Sequence, residues 1–262
     1  QLQPKLHGHD YLKPGDKVAT SRPHLFEVEG LKEIPIADDL SPNPWSIDGF
    51  RWTPDSRRFT FLYNQRGHQV LRIVSVDART GAAAPIVDES SKTFIDYSSK
   101  TFVNYIDATH ELIWMSERDG WNHLYLIDAE TGKVKNQITR GPWVVLGVDL
   151  VDEEARQVWF RAGGIHANQD PYHGHCARVD FDGSNLVVLT AGDGTHQIEY
   201  SPDRKYLVDT YSRVDAPPVV ELRKVADGSL VRELERADAT ALQAAGWKAP
   251  ERFVAKGRDG ET

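Results

Sequence analysis

The sequence has a single cysteine, Cys176, and a single methionine. An internal disulfide framework is therefore excluded, although this says little about compartment. No stretch approaches the roughly 18 consecutive apolar residues that a membrane-spanning helix needs. Basic charge is also short: 31 Lys and Arg stand against 39 Asp and Glu, for a net charge of −8. Without a basic patch there is nothing to displace counterions from a polyanion, so neither nucleic acid nor a membrane surface is an expected partner. Helical signal is confined to Asp238–Gly246, where Asp238 is placed to cap a short Ala-rich turn and Gly246 to end it. What is present, 40% hydrophobic and 27% charged residues over 262 positions, fits a folded chain of one large all-β domain or two ordinary ones. It begins at Gln1 without an initiator Met or a leader-like segment and is expected to be a fragment or a processed chain.

A repeat of about fifty residues organises the sequence. Four turns, each after an alternating apolar run, are Asp77-Ala-Arg-Thr80-Gly81, Asp128-Ala-Glu-Thr131-Gly132, Asp180-Phe-Asp182-Gly183 and Ala226-Asp227-Gly228. Their glycines recur 51, 51 and 45 residues apart. Thr-Gly and Asp-Gly supply the positive φ of a tight hairpin. Upstream, Phe50-Arg-Trp52-Thr-Pro54-Asp55 and Ile198-Glu-Tyr200-Ser-Pro202-Asp203 share an aromatic, a hydroxyl residue, Pro and Asp. Tyr105-Ile-Asp107 and Leu150-Val-Asp152 are degenerate versions. Strand-like runs follow each: Phe59–Tyr63, Leu112–Met115, Val158–Phe160 and Tyr206–Val208. Each period reads as four strands, the blade of a β-propeller. The expected fold is all-β, with four-stranded antiparallel blades. About four to five are present, the first entered midway within Asp10–Ile36. A tandem octet, Ser90–Tyr97 and Ser98–Tyr105, reads as a crossing between blades.

At Ser116-Glu117-Arg118-Asp119-Gly120-Trp121-Asn-His123-Leu-Tyr125 the sequence resembles the N-terminal propeller of the dipeptidyl peptidase IV family. The resemblance continues through Thr139–Val145, Leu189-Thr190, His196, Tyr200–Asp203, Val208–Ser212 and Pro217-Pro218. Upstream, Tyr11–Gly15 and Asn64–Arg66 look like family segments; downstream, Pro250–Phe253 and Gly257–Gly260 look like the first strand of the family's hydrolase domain. The resemblance implies residues 1–236 as part of an eight-bladed propeller, and 237–262 as a linker and strand leading to an α/β-hydrolase domain. That domain, short peptides and a second copy in a homodimer of the parent are the implied partners, and a periplasmic or secreted location is implied for the parent. The implied parent is a serine aminopeptidase that releases N-terminal dipeptides after proline or alanine. No Gly-x-Ser-x-Gly elbow occurs in the sequence, so no triad is expected here and no cofactor is implied. The family's amine-binding glutamates fall before Tyr11, and Glu153-Glu154 is expected to be a solvated hairpin pair.

Candidate sites divide between chemistry and packing. Phe94, Tyr97 and Phe102 lie where the family's propeller approaches the substrate side chain, and the implied role of the chain is to gate peptide access. Glu117, Arg118, Asp119, Gly120, Trp121 and His123 are expected to be structural: Asp119-Gly120 turns a hairpin, Trp121 and Tyr125 pack between blades, and His123 bonds a neighbouring strand. The His166–Cys176 segment, with His173 and His175, collects metal-ligand types, but is expected to be a loop without metal, Cys176 entering a strand. Trp52, Trp114 and Trp159 are expected to fill the wedge between sheets, and Trp143 and Trp247 to lie exposed in loops. Two rivals are a stand-alone interaction propeller and a metal-dependent polysaccharide lyase, the latter requiring His166, His173, His175 or His196 to converge. A partial propeller leaves open radial edges, so this chain alone is expected to associate; sedimentation as a monodisperse, closed five-bladed monomer would contradict the fragment reading.

Overall fold

The computed structural model describes residues 3–13, 15–251 and 253–260. The chain forms two compact units, Gln1–Tyr97 and Ser98–Thr262. In the first, β1 (Leu25–Glu27) and β2 (Lys32–Ile34) make a two-stranded ribbon. Blade 1 follows, a meander of β3 (Pro44–Trp52), β4 (Arg58–Gln65), β5 (Val70–Asp77) and β6 (Ala83–Ser90). The second unit holds three more four-stranded sheets. Blade 2 is β7 (Val103–Ile106), β8 (Glu111–Ser116), β9 (His123–Asp128) and β10 (Val134–Gln137). Blade 3 is β11 (Val144–Asp152), β12 (Gln157–Gly163), β13 (Gly174–Asp180) and β14 (Val187–Val188). Blade 4 is β15 (Thr195–Tyr200), β16 (Tyr206–Arg213), β17 (Ala216–Lys224) and β18 (Leu230–Arg236). Every pairing is antiparallel between consecutive strands. The fold is thus the expected one, four full blades and two strands of an earlier one.

Local chemistry repeats with the strands. Between β3 and β4, Thr53 Oγ1 donates to Asp55 Oδ1 (2.7 Å) and accepts from Arg58 N–H (3.1 Å). Between β15 and β16, Ser201 Oγ donates to Asp203 Oδ1 (2.8 Å) and accepts from Tyr206 N–H (3.1 Å). Ser56, His110, Arg156 and Arg204 occupy the left-handed region at the matching point of the four blades, with φ of 57, 52, 52 and 53°. The degenerate turns thus keep the backbone of the full motif while losing its side chains. At the other end, Asp77 Oδ1 takes the N–H and the hydroxyl of Thr80, both at 2.8 Å, and Asp128 Oδ1 does the same for Thr131. These Asx-type bonds close β5–β6 and β9–β10.

Blades 2 and 3 pack face to face through Ile113, Met115, Leu124 and Leu126 on one side and Val158, Phe160, Ala177 and Val179 on the other. Trp159, Leu189, Leu207 and Val225 bury the contact of blades 3 and 4. Of the three tryptophans expected in wedges, Trp159 lies in the contact of blades 3 and 4, and Trp114 is fully buried in β8. Trp52 is not; it ends the first strand of its blade, half-exposed, against Phe59 (5.3 Å). Among the described residues of 237–260 there is a single short helix, α1 (Thr240–Ala244). Its N-cap is Ala239 rather than the expected Asp238, which stands one residue earlier and accepts from Thr240 N–H, and Gly246 follows at φ 92°. Among the described residues of 250–260 there is no strand.

Glu111 opens β8 at 2% exposure and was not singled out by the sequence. Thr109 Oγ1 (2.6 Å) and Arg156 Nη1 (2.9 Å) donate to its Oε2, and Lys135 Nζ donates to Oε1. Arg156 comes from the β11–β12 turn, so the carboxylate ties blade 2 to blade 3. Burial alone would raise this acid, but the bonds from Arg156, Lys135 and Thr109 outweigh it and hold it at about 2, below its ordinary 4.5. The unfolded chain therefore binds this proton more readily, and the stabilisation is full above pH 4.5 and lost as pH falls toward 2. Glu111→Gln is expected to lower stability at neutral pH by about 1–3 kcal/mol, because two cations lose their partner. Urea melts should show the difference between wild type and variant shrinking as the pH is lowered from 5 to 3.

Candidate functional site

Three groups of side chains stand out, one in the first unit and two in the second. In the first unit the β4–β5 hairpin places Arg66 and His68 beside Trp45, at the start of β3. Segment 91–97 is fastened to that hairpin by Ser91 N–H to Gln69 O (2.9 Å) and Ile95 N–H to His68 O (2.8 Å). This sets Tyr97 stacked on the His68 ring (4.2 Å) and Phe94 edge-on to it (5.6 Å). Trp45 also meets His68 edge-on (5.2 Å), and the Arg66 guanidinium lies over Trp45 (5.1 Å). Asn64 Oδ1 faces His68 Nδ1 (3.1 Å) and orients the ring. Phe94 is 52% exposed and Trp45 50%. The result is an aromatic floor with a cation at its rim, a surface able to take apolar side chains and a polar or anionic group together.

Phe94 and Tyr97 are thus brought together, with ring centroids 6.3 Å apart. Phe102 belongs to the second unit, where it packs partly buried against the core of blades 2 and 3. Trp45, Arg66 and His68 were missed in the sequence. Their signal is weak, since an aromatic, a hairpin tip and a crossing segment meet only once the meander has folded.

The second group is the β8–β9 turn. Asp119 Oδ1 accepts from Trp121 N–H (3.1 Å), Gly120 has φ 94°, and Asp119 Oδ2 accepts from Gln137 Nε2 (2.6 Å). Those partners hold the Asp119 carboxyl below its usual range despite the opposing effect of burial. Lys100 Nζ pairs with Glu117 (2.6 Å), and Arg118 bonds Ser116 Oγ (2.9 Å) and lies over Tyr125 (4.7 Å). The buried Asn122 reaches blade 3, donating Nδ2–H to Val145 O (2.7 Å) while Val145 N–H returns to Asn122 O (2.8 Å). His123 is fully buried between Thr139 Oγ1 and Gly141 O, both at 3.0 Å. Gly141 O can only accept, so Nε2–H donates to it, leaving Nδ1 to face the Thr139 hydroxyl, whose oxygen also accepts Leu124 N–H (2.9 Å).

Two tryptophans depart from expectation here. Trp121 is 44% exposed rather than packed between blades, because the turn needs only its backbone. Trp143 is 6% exposed rather than solvated: it lies parallel to Phe160 (5.8 Å) and meets His123 edge-on (4.9 Å). Trp247 is exposed, as expected.

The third group is the histidine-rich segment before β13. His166 Nε2 meets Thr190 O (3.2 Å), His173 Nδ1 meets Asp193 Oδ1 (3.1 Å), and His175 lies between Thr190 Oγ1 (3.1 Å) and Gln169 Oε1 (2.8 Å). His196 Nδ1 faces Asp209 (2.7 Å) and its Nε2 faces Gly192 O (2.8 Å). The rings approach one another, but these nitrogens are turned to oxygen partners instead of to a common point. Among the described residues no three His, Cys, Asp or Glu side chains are grouped to hold a metal ion. Cys176 enters β13, as expected, and burial pushes its thiol up to about 12, so it stays protonated and unreactive. Glu153 and Glu154 are exposed in the β11–β12 turn.

Consecutive four-stranded meanders, repeated with the same turn chemistry and stacked in the second unit on apolar faces, define the class: β-propeller blades. Residues 1–218 match the family described as dipeptidyl peptidase IV (DPP IV) N-terminal region, and the chain belongs to that family. Among solved structures it is similar to Porphyromonas gingivalis dipeptidyl peptidase 4, at 21% identity and a TM-score of 0.63 over 90% of this chain and 33% of that one. It is also similar to a putative dipeptidyl aminopeptidase IV from Bacteroides ovatus, at 19% identity and a TM-score of 0.56 over 81% of this chain and 32% of the other. At these identities the likeness is one of fold, and the chain spans about a third of each structure's length. It is a domain of DPP IV-like peptidases.

The contrast between the two tryptophans gives a test of the geometry. Trp143→Ala is expected to lower stability by about 3–5 kcal/mol, through the cavity left beside Phe160 and His123. Trp121→Ala is expected to change it by less than about 0.5 kcal/mol. Denaturant midpoints of the two variants measure both.

Proposed function

We propose that this chain is the non-catalytic propeller part of a serine aminopeptidase, covering the hydrolase site and restricting it to short peptides. The family match over residues 1–218 carries this reading. The lack of a Gly-x-Ser-x-Gly elbow is consistent with it, since the nucleophile then belongs to another part of the polypeptide. The chemistry of the whole protein would be release of N-terminal dipeptides by acyl transfer to serine, performed by an α/β-hydrolase domain packed against these blades. Its partners would be that domain, short peptides and, in the parent, a second copy. The propeller contributes exclusion and positioning rather than bond-making.

Within this reading, Phe94 and Tyr97 contact the substrate. They are held by His68 and are the part of the aromatic floor that the crossing segment supplies. Their rings would bind substrate and transition state alike, which lowers KM and leaves kcat alone.

Hydrolysis of a Gly-Pro chromogenic substrate is expected only from the protein that also contains the hydrolase domain. In that protein Phe94→Ala and Tyr97→Ala are expected to raise KM by about 3–10-fold with kcat within about twofold. Phe102→Ala, by its packing, should act on stability instead. Absence of activity in the complete protein would refute the peptidase reading; unchanged KM in both variants would refute the substrate contact alone.

A further inference from the structure

Segment 164–173, which leads from β12 to β13, is fastened along the connector 189–194 between blades 3 and 4. His166 meets Thr190 O, Gln169 Nε2 donates to Ala191 O (3.2 Å), and His173 pairs with Asp193. The buried His175 joins the two, with Thr190 on one nitrogen and Gln169 on the other. The segment and connector also border a cleft of about 1080 Å³. Almost every fastening therefore runs through an imidazole or through the residue that an imidazole holds.

The rings form a row. Successive centroids from His166 through His175 and His196 to Tyr211 lie 4.5, 4.6 and 5.0 Å apart. A neutral middle ring satisfies the bonds around it. Thr190 Oγ1 accepts Cys176 N–H (3.1 Å); with Nε2–H donated to Gln169 Oε1, Nδ1 takes the Thr190 hydroxyl. That is a neutral ring with each nitrogen used once. His196 faces acceptors at both nitrogens, the Asp209 carboxylate and Gly192 O. A proton on His175 would displace the Thr190 hydroxyl from Nδ1 and bury a cation between the rings of His196 and His166.

We propose that segment 164–173 is an acid-released latch, closed on connector 189–194 while His175 is neutral and detached when His175 takes up a proton. Burial, with His196, His166 and His173 adding to it, lowers His175 to about 3 in the closed state from its ordinary 6.5. The open, solvated form therefore binds the proton between these values, and its share rises as pH falls through that window. At pH 5 the bias toward opening is about 30-fold relative to neutral pH.

The other charges around the ring do not reverse this. On the segment itself, His173 faces Asp193, but that aspartate is half-exposed and such a pair is weak. On β12 and β11, Arg161 and Asp149 pair with each other (3.0 Å). On β16 and β17, Asp209 is shared between His196 and Arg223, which also pairs with Glu221 (2.7 Å), and Arg213 is held by Asp193 and Asp215. Tyr211 closes the row as an uncharged ring, burial raising its hydroxyl.

Hydrogen–deuterium exchange of the full-length protein at pH 7.5 and 5.0, corrected for intrinsic rates, tests the latch. Peptides covering 164–177 and 187–196 are expected to lose protection by about tenfold or more at pH 5.0, while residues 70–77 of blade 1 stay unchanged. In His175→Gln, which keeps an acceptor and a donor but cannot titrate, the difference between the two pH values should vanish. Equal protection at both pH values, or an undiminished response in the variant, overturns the proposal. Should the variant fail to fold, the wild-type ring signal of His175 decides. Protonation that sets in together with exchange supports the latch, and titration near 6.5 with no change in exchange sinks it.

Discussion

The spacing of neighbouring sheets is set where the last hairpin of one blade rests on the last strand of the blade before it. Within each of the two units a glycine stands at that contact. A Cβ added to Gly228 would lie 2.5 Å from Val188 O, and one added to Gly183 would lie 3.1 Å from Gln137 O and Ile138 O. At Gly81 it would meet Pro35 O at 2.1 Å, which places the β1–β2 ribbon where the outer strands of a preceding blade belong. All three glycines also have positive φ. The turn chemistry that closes each hairpin is therefore also what lets the next sheet come near enough to bury its face.

From that approach the rest of the packing follows. Phe160 and Trp143 lie parallel at 5.8 Å within the contact of blades 2 and 3, and Tyr200 meets Trp159 edge-on at 5.1 Å between blades 3 and 4. Polar groups are buried by rule as well. His123 with Thr139, and His175 with Thr190, occupy the same place in successive blades, and each threonine hydroxyl also takes the N–H of the residue after its histidine. A single arrangement, used twice, satisfies a ring and a backbone amide that burial would otherwise leave unpaired. The two copies differ in what flanks them, Trp143 in one and a row of imidazoles in the other.

The blades were readable because their signals are local. Asp, Thr and Gly at fixed offsets specify a hairpin whatever surrounds it, and the aromatic–hydroxyl–Pro–Asp run specifies the hairpin before. What failed was inference across strands. Trp52 and Trp159 look alike by spacing, yet one ends a first strand and the other lies within a second. Trp143 looked like a loop residue because the loop's own neighbours do not reveal the phenyl ring it covers. The His68 cluster draws on three separated segments, and no local pattern joins them. One signal was available and went unused: a histidine followed by a threonine 16 residues later in one blade and 15 in the next.

The tandem octet has two fates. In the first copy Phe94 and Tyr97 surround His68 and no residue after Ser90 joins a strand; in the second Val103–Tyr105 start β7 and Phe102 enters a core. Near-identical peptides differ in outcome because each blade takes its register from its own hairpins, and the crossing between them takes none. The boundary of the two compact units falls between the copies, at Tyr97 and Ser98. Loss of one copy would therefore cost either the rings on His68 or the first strand of blade 2, whereas a third copy would lengthen only the crossing and leave every hairpin downstream in step.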